Sequence, residues 1–181
     1  MIFLGGCLAK TVAWKLKRWQ RLTLVFWVLA LAILPAQAED GGRQAEVARR
    51  GTDVMPFSLA QTQHQFTKTE TGGIQRVVSR DPHNHEQIRL IRQHLKQLAE
   101  RFTRGDFSGP ESIHGSDMPG LAQLREAKQG SLHIIYTAEP AGARLTFRSD
   151  DTLLVRAIHD WFDAQLHDHG HDAMEVHHHP Q

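Results

Sequence analysis

The chain is expected to fold as a single α+β domain. Two ββα units would form a four-stranded, mainly antiparallel sheet with two long helices on one face. Three observations predict it. The turns Thr71-Gly72-Gly73 and Pro140-Ala141-Gly142 each divide a pair of stretches with alternating apolar residues, a run of helical periodicity follows each pair, and Asp81 and Asp150 stand eight residues after the turn glycines. A lone hairpin and helix bury too little apolar surface to be stable, so the two units must share one sheet and one core. The repeated plan fits an internal duplication, although common ββα geometry produces the same pattern.

Lys15, Lys17, Arg18 and Arg21 precede the apolar run Leu22 to Leu34, which closes on Pro35-Ala36-Gln37-Ala38. Basic n-region, apolar h-region and small residues at the cleavage site read as a secretory signal peptide over residues 1–38. The run is shorter than the roughly twenty apolar residues of a spanning helix, so the protein is expected to be periplasmic or secreted, with no membrane contact after cleavage. Residues 39–55 are polar, contain glycine and lack sustained periodicity, the pattern of a flexible lead-in. The α+β domain then occupies 56–168.

Within it, Gln61 to Arg80 forms a hairpin, since Gly72 and Gly73 supply the positive φ angles of a tight turn. Ile88, Ile91, Leu95, Leu98 and Phe102 recur at three and four residues, one buried helical stripe that Gly105 ends. A loop from Asp106 to Pro119 leads to a short helix over Leu121 to Lys128. Ser131 to Glu139 and Ala143 to Phe147 make the second hairpin. A helix from about Asp151 to His167 buries Leu154, Ala157, Ile158, Trp161, Phe162 and Gln165 or its neighbours. Residues 169–181 read as a histidine-rich flexible tail.

Cleavage would remove five of the 21 basic side chains and none of the 20 acidic ones, leaving a mature charge of about −4. A mildly acidic domain lacks the basic footprint of a nucleic-acid binder. The sole cysteine, Cys7, leaves with the leader, so neither a disulfide nor a catalytic thiolate is available.

All 13 histidines lie after residue 63, and six fall in the last fifteen residues. That excess of imidazole points to transition metals or to pH. His159, Asp163 and His167 are four residues apart and share one face of the C-terminal helix, a donor set suited to Cu, Ni or Zn ions. His169, His171, His177, His178 and His179 extend it along the tail. The same face can equally be solvated, with Asp163 merely favouring protonated histidine. His94, on the flank of the first helix stripe, and Asp106 and His114, in the longest loop, form a further candidate site. They supply an acid, a base and an orienting group for a small hydrolase, but no activated nucleophile accompanies them.

Several stretches carry a resemblance: Gly72-Gly73, Asp81-Pro82, Ile91-Arg92-Gln93-His94-Leu95, Gly105-Asp106-Phe107, Ile113-His114, Pro119-Gly120, Ala157-Ile158-His159 and Asp168-His169. Over roughly residues 50–172 the chain resembles an uncharacterised group of exported bacterial proteins, some of which carry the label aspartate carbamoyltransferase. The resemblance implies export but no particular chemistry, because the mature chain offers neither a Ser-Thr-Arg-Thr-Arg type phosphate loop nor a second domain. Two departures stand out. The family shows paired histidines before the first-strand Phe where this chain has His64-Gln65-Phe66, and Gln75 occupies a position that is usually apolar. The expected function is divalent transition-metal binding as a buffer, carrier or sensor. The alternative is a periplasmic protein-interaction module docking through the open sheet face or an edge strand near Gln61 to Thr69.

Overall fold

The two hairpins form because alternate residues along each strand turn to opposite sides of a sheet. In the structure, a computed structural model that describes residues 36–177 and side chains from 41 to 177, β1 (Thr62–Thr69) pairs antiparallel with β2 (Gly72–Ser79). Likewise β3 (His133–Glu139) pairs with β4 (Gly142–Arg148). β2 and β4 then join the hairpins antiparallel, with Gly73 opposite Phe147 and Val77 opposite Ala143. Gly72 has φ +144°, and a Cβ there would lie 2.1 Å from the Phe147 carbonyl oxygen, so the turn glycine also lets β2 approach β4.

The α+β class is as expected, but the sheet has five strands and is mixed. Its order is β3-β4-β2-β1-β5, and β5 (Ala173–Glu175) runs parallel to β1 with His64 opposite Ala173 and Phe66 opposite Glu175. The segment 169–176 is therefore not a free tail. The last long helix continues to His169, Gly170 at φ +51° reverses the chain, and the outward backbone groups of β1 over His64 to Phe66 gain partners. Three residues are too few for a periodic signal. His178 and His179 lie outside the described residues.

A second correction concerns the lead-in. Residues 39–55 are largely helical, within α1 (Ala36–Val54), and from Gly42 onward the chain forms one compact unit. Val47 is 3% exposed and belongs to the core. Ala, Arg, Gln and Glu favour the helix, while so thin an apolar stripe leaves little periodicity to read. The signal-peptide reading falls on residues outside those described, apart from its expected cut after Ala38, which lies in the first turn of α1. Among the described residues no helix is long and apolar enough to cross a membrane.

Helix α2 (His85–Thr103) starts where the Asn84 side chain accepts from Gln87 N–H, and buries Ile88, Ile91, Leu95, Ala99 and Phe102. The expected loop contains α3 (Ser108–His114), and α4 (Leu121–Arg125) follows it. Asp151 caps α5 (Thr152–His169) in the manner of Asn84. Aromatic rings bind these pieces together. Phe102 stacks on Phe107 at 4.4 Å between centroids, and Trp161 presents its edge to Phe102, Phe107 and Phe147 at 5.5 to 5.9 Å. Phe162 meets Phe66 at 5.0 Å, so α5 and α2 both contact the sheet face that carries His64, Phe66, Gln75, Val77, Leu145 and Phe147.

Gly120 allows α4 to pack against α5. It adopts φ +76°, and an added Cβ would sit 2.1 Å from the Ala157 carbonyl oxygen and 3.0 Å from the Trp161 nitrogen. Gly120→Ala is expected to lower stability by about 3 kcal/mol in urea unfolding, with the m-value unchanged.

Candidate functional site: a histidine-walled cavity

The surface donor set anticipated on α5 is occupied with other work. His159 donates through Nε2–H to the carbonyls of Thr69 (3.0 Å) and Gly72 (2.8 Å), clamping the first hairpin turn to α5. Asp163 pairs with Lys68 of β1. His167 is exposed, with Nδ1 3.4 Å from Asp168 Oδ1, and His171, 90% exposed, lies 3.4 Å from Asp172. His177 is exposed. Among the described residues no group of three or more His, Cys, Asp or Glu side chains is arranged ready for a metal ion.

His169, by contrast, points inward. It stacks on His64 of β1 at 4.9 Å between ring centroids and meets His114 of α3 edge-on at 5.1 Å. All three line one cavity of about 40 Å³, as do His94, Gln75, Gln165 and Trp161. That volume holds about two or three waters. Val54, Met55, Phe57, Leu95, Phe102 and Ile113 supply apolar wall beside these polar groups. His94 contacts Phe57 edge-on at 5.5 Å.

Positioning comes from the helix termini. Asp168, the residue before His169, is buried at the end of α5 and accepts from His114 Nδ1 at 2.8 Å and from Arg43 Nη2 at 2.7 Å. Arg43 Nε adds a second contact to the same carboxylate, and its Nη2 also donates to the His114 carbonyl at 3.2 Å. Burial pushes the Asp168 carboxyl up, but the hydrogen bonds from His114 and Arg43 outweigh it and hold it below the usual carboxylate range. An ionised carboxylate only accepts, so His114 carries its proton on Nδ1 toward Asp168. In the neutral ring Nε2 is then an unprotonated nitrogen.

Three buried polar atoms at the cavity lack a hydrogen-bond partner among the described residues: His64 Nδ1, Gln75 Oε1 and Trp161 Nε1. Each such atom left unpaired costs about 1–3 kcal/mol, and all three belong to residues that line the same cavity. Burial, reinforced by the nearby His94 and His114, pushes the His64 imidazole down to about 4. Burial, then Arg101, does the same to His94, also to about 4. Burial likewise holds His169 well below the ordinary histidine value, with His64 and His114 adding to it and Asp168 opposing. His64, His94 and His169 thus present uncharged imidazoles to the cavity at neutral pH.

Of the second candidate set, His94 and His114 share the cavity and Asp106 does not. Asp106 takes Arg101 Nε at 2.8 Å and Ser108 Oγ at 2.6 Å, organising the turn before α3. The carboxylate that orients His114 is Asp168. Ser112 is no nucleophile for this pair, since its hydroxyl donates to the Gly109 carbonyl at 2.7 Å. Sequence reasoning missed Arg43, His64, Gln75 and Asp168 as site residues. A signal existed for Gln75, a polar residue at an inward strand position, and for Asp168, which adjoins His169 in one of the stretches that carry the resemblance.

Neutral burial makes the fold acid-sensitive. Between pH about 6.5 and 4 the unfolded chain takes up protons at His64 and His94 that the folded chain refuses, so stability falls as pH drops, by about 1.4 kcal/mol per pH unit for each histidine. Denaturant midpoints measured across that window are expected to decline, and His64→Gln is expected to make the decline shallower; an unchanged slope would show that His64 titrates normally. Comparison with protein-family models, curated proteins and solved structures finds no match to this chain.

Proposed function

We propose that the cavity binds one divalent transition-metal ion, Cu²⁺, Ni²⁺ or Zn²⁺, and that the protein serves as a metal buffer, carrier or sensor in the exported compartment. The observation that carries this reading is the succession His64, His169, His114, with ring centres 4.9 and 5.1 Å apart inside one cavity. Two imidazoles on a tetrahedral ion, with metal–nitrogen bonds of about 2.1 Å, place their ring centres about 5 Å apart. As placed, the His64 and His169 rings lie parallel at 11°, so loading requires their side chains to turn before nitrogens converge on one ion.

Two further features support it. Neutral imidazole is the ligating form, and burial keeps His64 and His169 in it, so these two load without loss of a proton. Asp168 behind His114 matches the carboxylate–histidine pairing that orients metal-bound imidazoles and raises their basicity. His94 also lines the cavity wall. The reading moves the metal from the α5 surface, where His159 and Asp163 hold the hairpin, to the interior.

Calorimetric titration of the full chain with Cu²⁺, Ni²⁺ and Zn²⁺ at pH 7 checks it. One site tighter than micromolar is expected, lost in His64→Gln and His169→Gln and retained in His159→Ala and His171→Ala. Asp168→Asn is expected to weaken it about 10- to 100-fold. Absence of binding stronger than millimolar, or binding that survives both interior substitutions, overturns the proposal.

A further inference from the structure

Among the described residues that line the histidine cavity there is no Asp, Glu or Cys. The donors on its wall are the imidazoles of His64, His94, His114 and His169, the amides of Gln75 and Gln165, and the thioether of Met55. Imidazole ligates in its neutral form, and amides and thioethers carry no charge, so an ion held here receives no negative charge from its ligands. The anion behind His114 is Asp168, and Arg43 already pairs with it.

Charge then decides between ions. The cost of taking an ion out of water rises with the square of its charge, so among neutral ligands beside Phe57, Leu95, Phe102 and Ile113 a dication costs about four times what a monocation does. Space favours the same choice. Zn²⁺ takes a full tetrahedral set and Cu²⁺ or Ni²⁺ a tetragonal one, and a cavity of about 40 Å³ leaves little room for waters to complete either beside the ion, whereas Cu⁺ is satisfied by about two or three ligands. Met55 adds softness. It follows the end of α1, is 8% exposed and keeps its methyl so close to Gly51 that an added Cβ there would lie 2.8 Å away, which confines the thioether to the wall. Thioether sulfur is a donor that selects Cu⁺.

We propose that the ion this cavity retains best is Cu⁺, held by His64 and His169 with the Met55 thioether completing the set. This rests on the cavity reading above and ranks Cu⁺ before the divalent ions, which the same histidines hold more weakly. The ion enters and leaves as Cu⁺, with no change of oxidation state.

Anaerobic competition titration tests this, with bicinchoninate competing for Cu⁺ and a chelating dye for Zn²⁺, on the full chain carrying Cys7→Ser so that no thiolate takes part. Circular dichroism verifies that each variant is folded. Cu⁺ is expected to bind about a thousandfold more tightly than Zn²⁺, and the pair His64→Gln and His169→Gln to remove it. Met55→Leu, which keeps the volume, is expected to weaken Cu⁺ about tenfold and to leave Zn²⁺ within about twofold. Gln75→Glu places one negative charge at the wall and is expected to move the preference about tenfold toward Zn²⁺. Zn²⁺ held as tightly as Cu⁺ by the same two histidines overturns the inference and leaves the metal reading intact, whereas absence of both ions from the cavity overturns both. Cu⁺ that survives the two interior substitutions would sit on the surface histidines and overturns it too. So does a preference that neither Met55→Leu nor Gln75→Glu alters.

Discussion

The carboxylate of Asp168 is the point at which the ends of this fold are joined. A buried charge without partners costs several kcal/mol, and Asp168 acquires its partners from two other helices: Arg43 from α1 and His114 from α3. Satisfying one anion therefore fixes where α1 lies, which ring nitrogen of His114 carries the proton, and the direction in which the next residue, His169, enters the core. Gln44 strengthens the same junction by donating to the His167 carbonyl at 3.0 Å. β5 begins four residues after His169, so the placement of the last strand also descends from this contact.

Around that junction the molecule tolerates features that a core built for stability alone would avoid. His64 and Gln75 face inward from β1 and β2, where Phe66 and Val77 show what the same strands contribute elsewhere. Trp161 lies at the centre of the aromatic cluster with its indole N–H unpaired at the cavity. Buried polar atoms left unpaired and imidazoles kept neutral by burial both work against folding, and both are gathered around this one cavity. The α5 surface lacks it: there His159, Asp163 and Lys68 are spent on holding a hairpin turn.

Much of the fold was legible because it is local. Both hairpins, the stripe of α2 and the apolar face of α5 are written in spacings of two and of three to four residues, with Asn84 and Asp151 at the helix starts. α1 and β5 were not legible. The first offers a single deeply buried apolar residue, Val47, and the second is three residues long, so neither shows a period, and both exist through contacts with distant parts of the chain. For the site, His94, His114 and His169 were already singled out, yet their grouping was hidden. They lie on three elements, and sequence spacing joined His169 to the surface residues His159, Asp163 and His167 of its own helix instead.

The sequence by itself determined the α+β class, the two hairpins with a long helix after each, and the histidine excess, because each depends on backbone propensity, residue count or short-range periodicity. Tertiary structure alone decided which histidines meet and which are neutral. Two residues flanking the end of one helix, His167 and His169, differ in fate because a helical turn of about 100° per residue sends one ring outward and the other across to His64. Which of them reaches the interior is set by the strands, by α3 and by the Arg43–Asp168 pair, none of which a window along the chain contains.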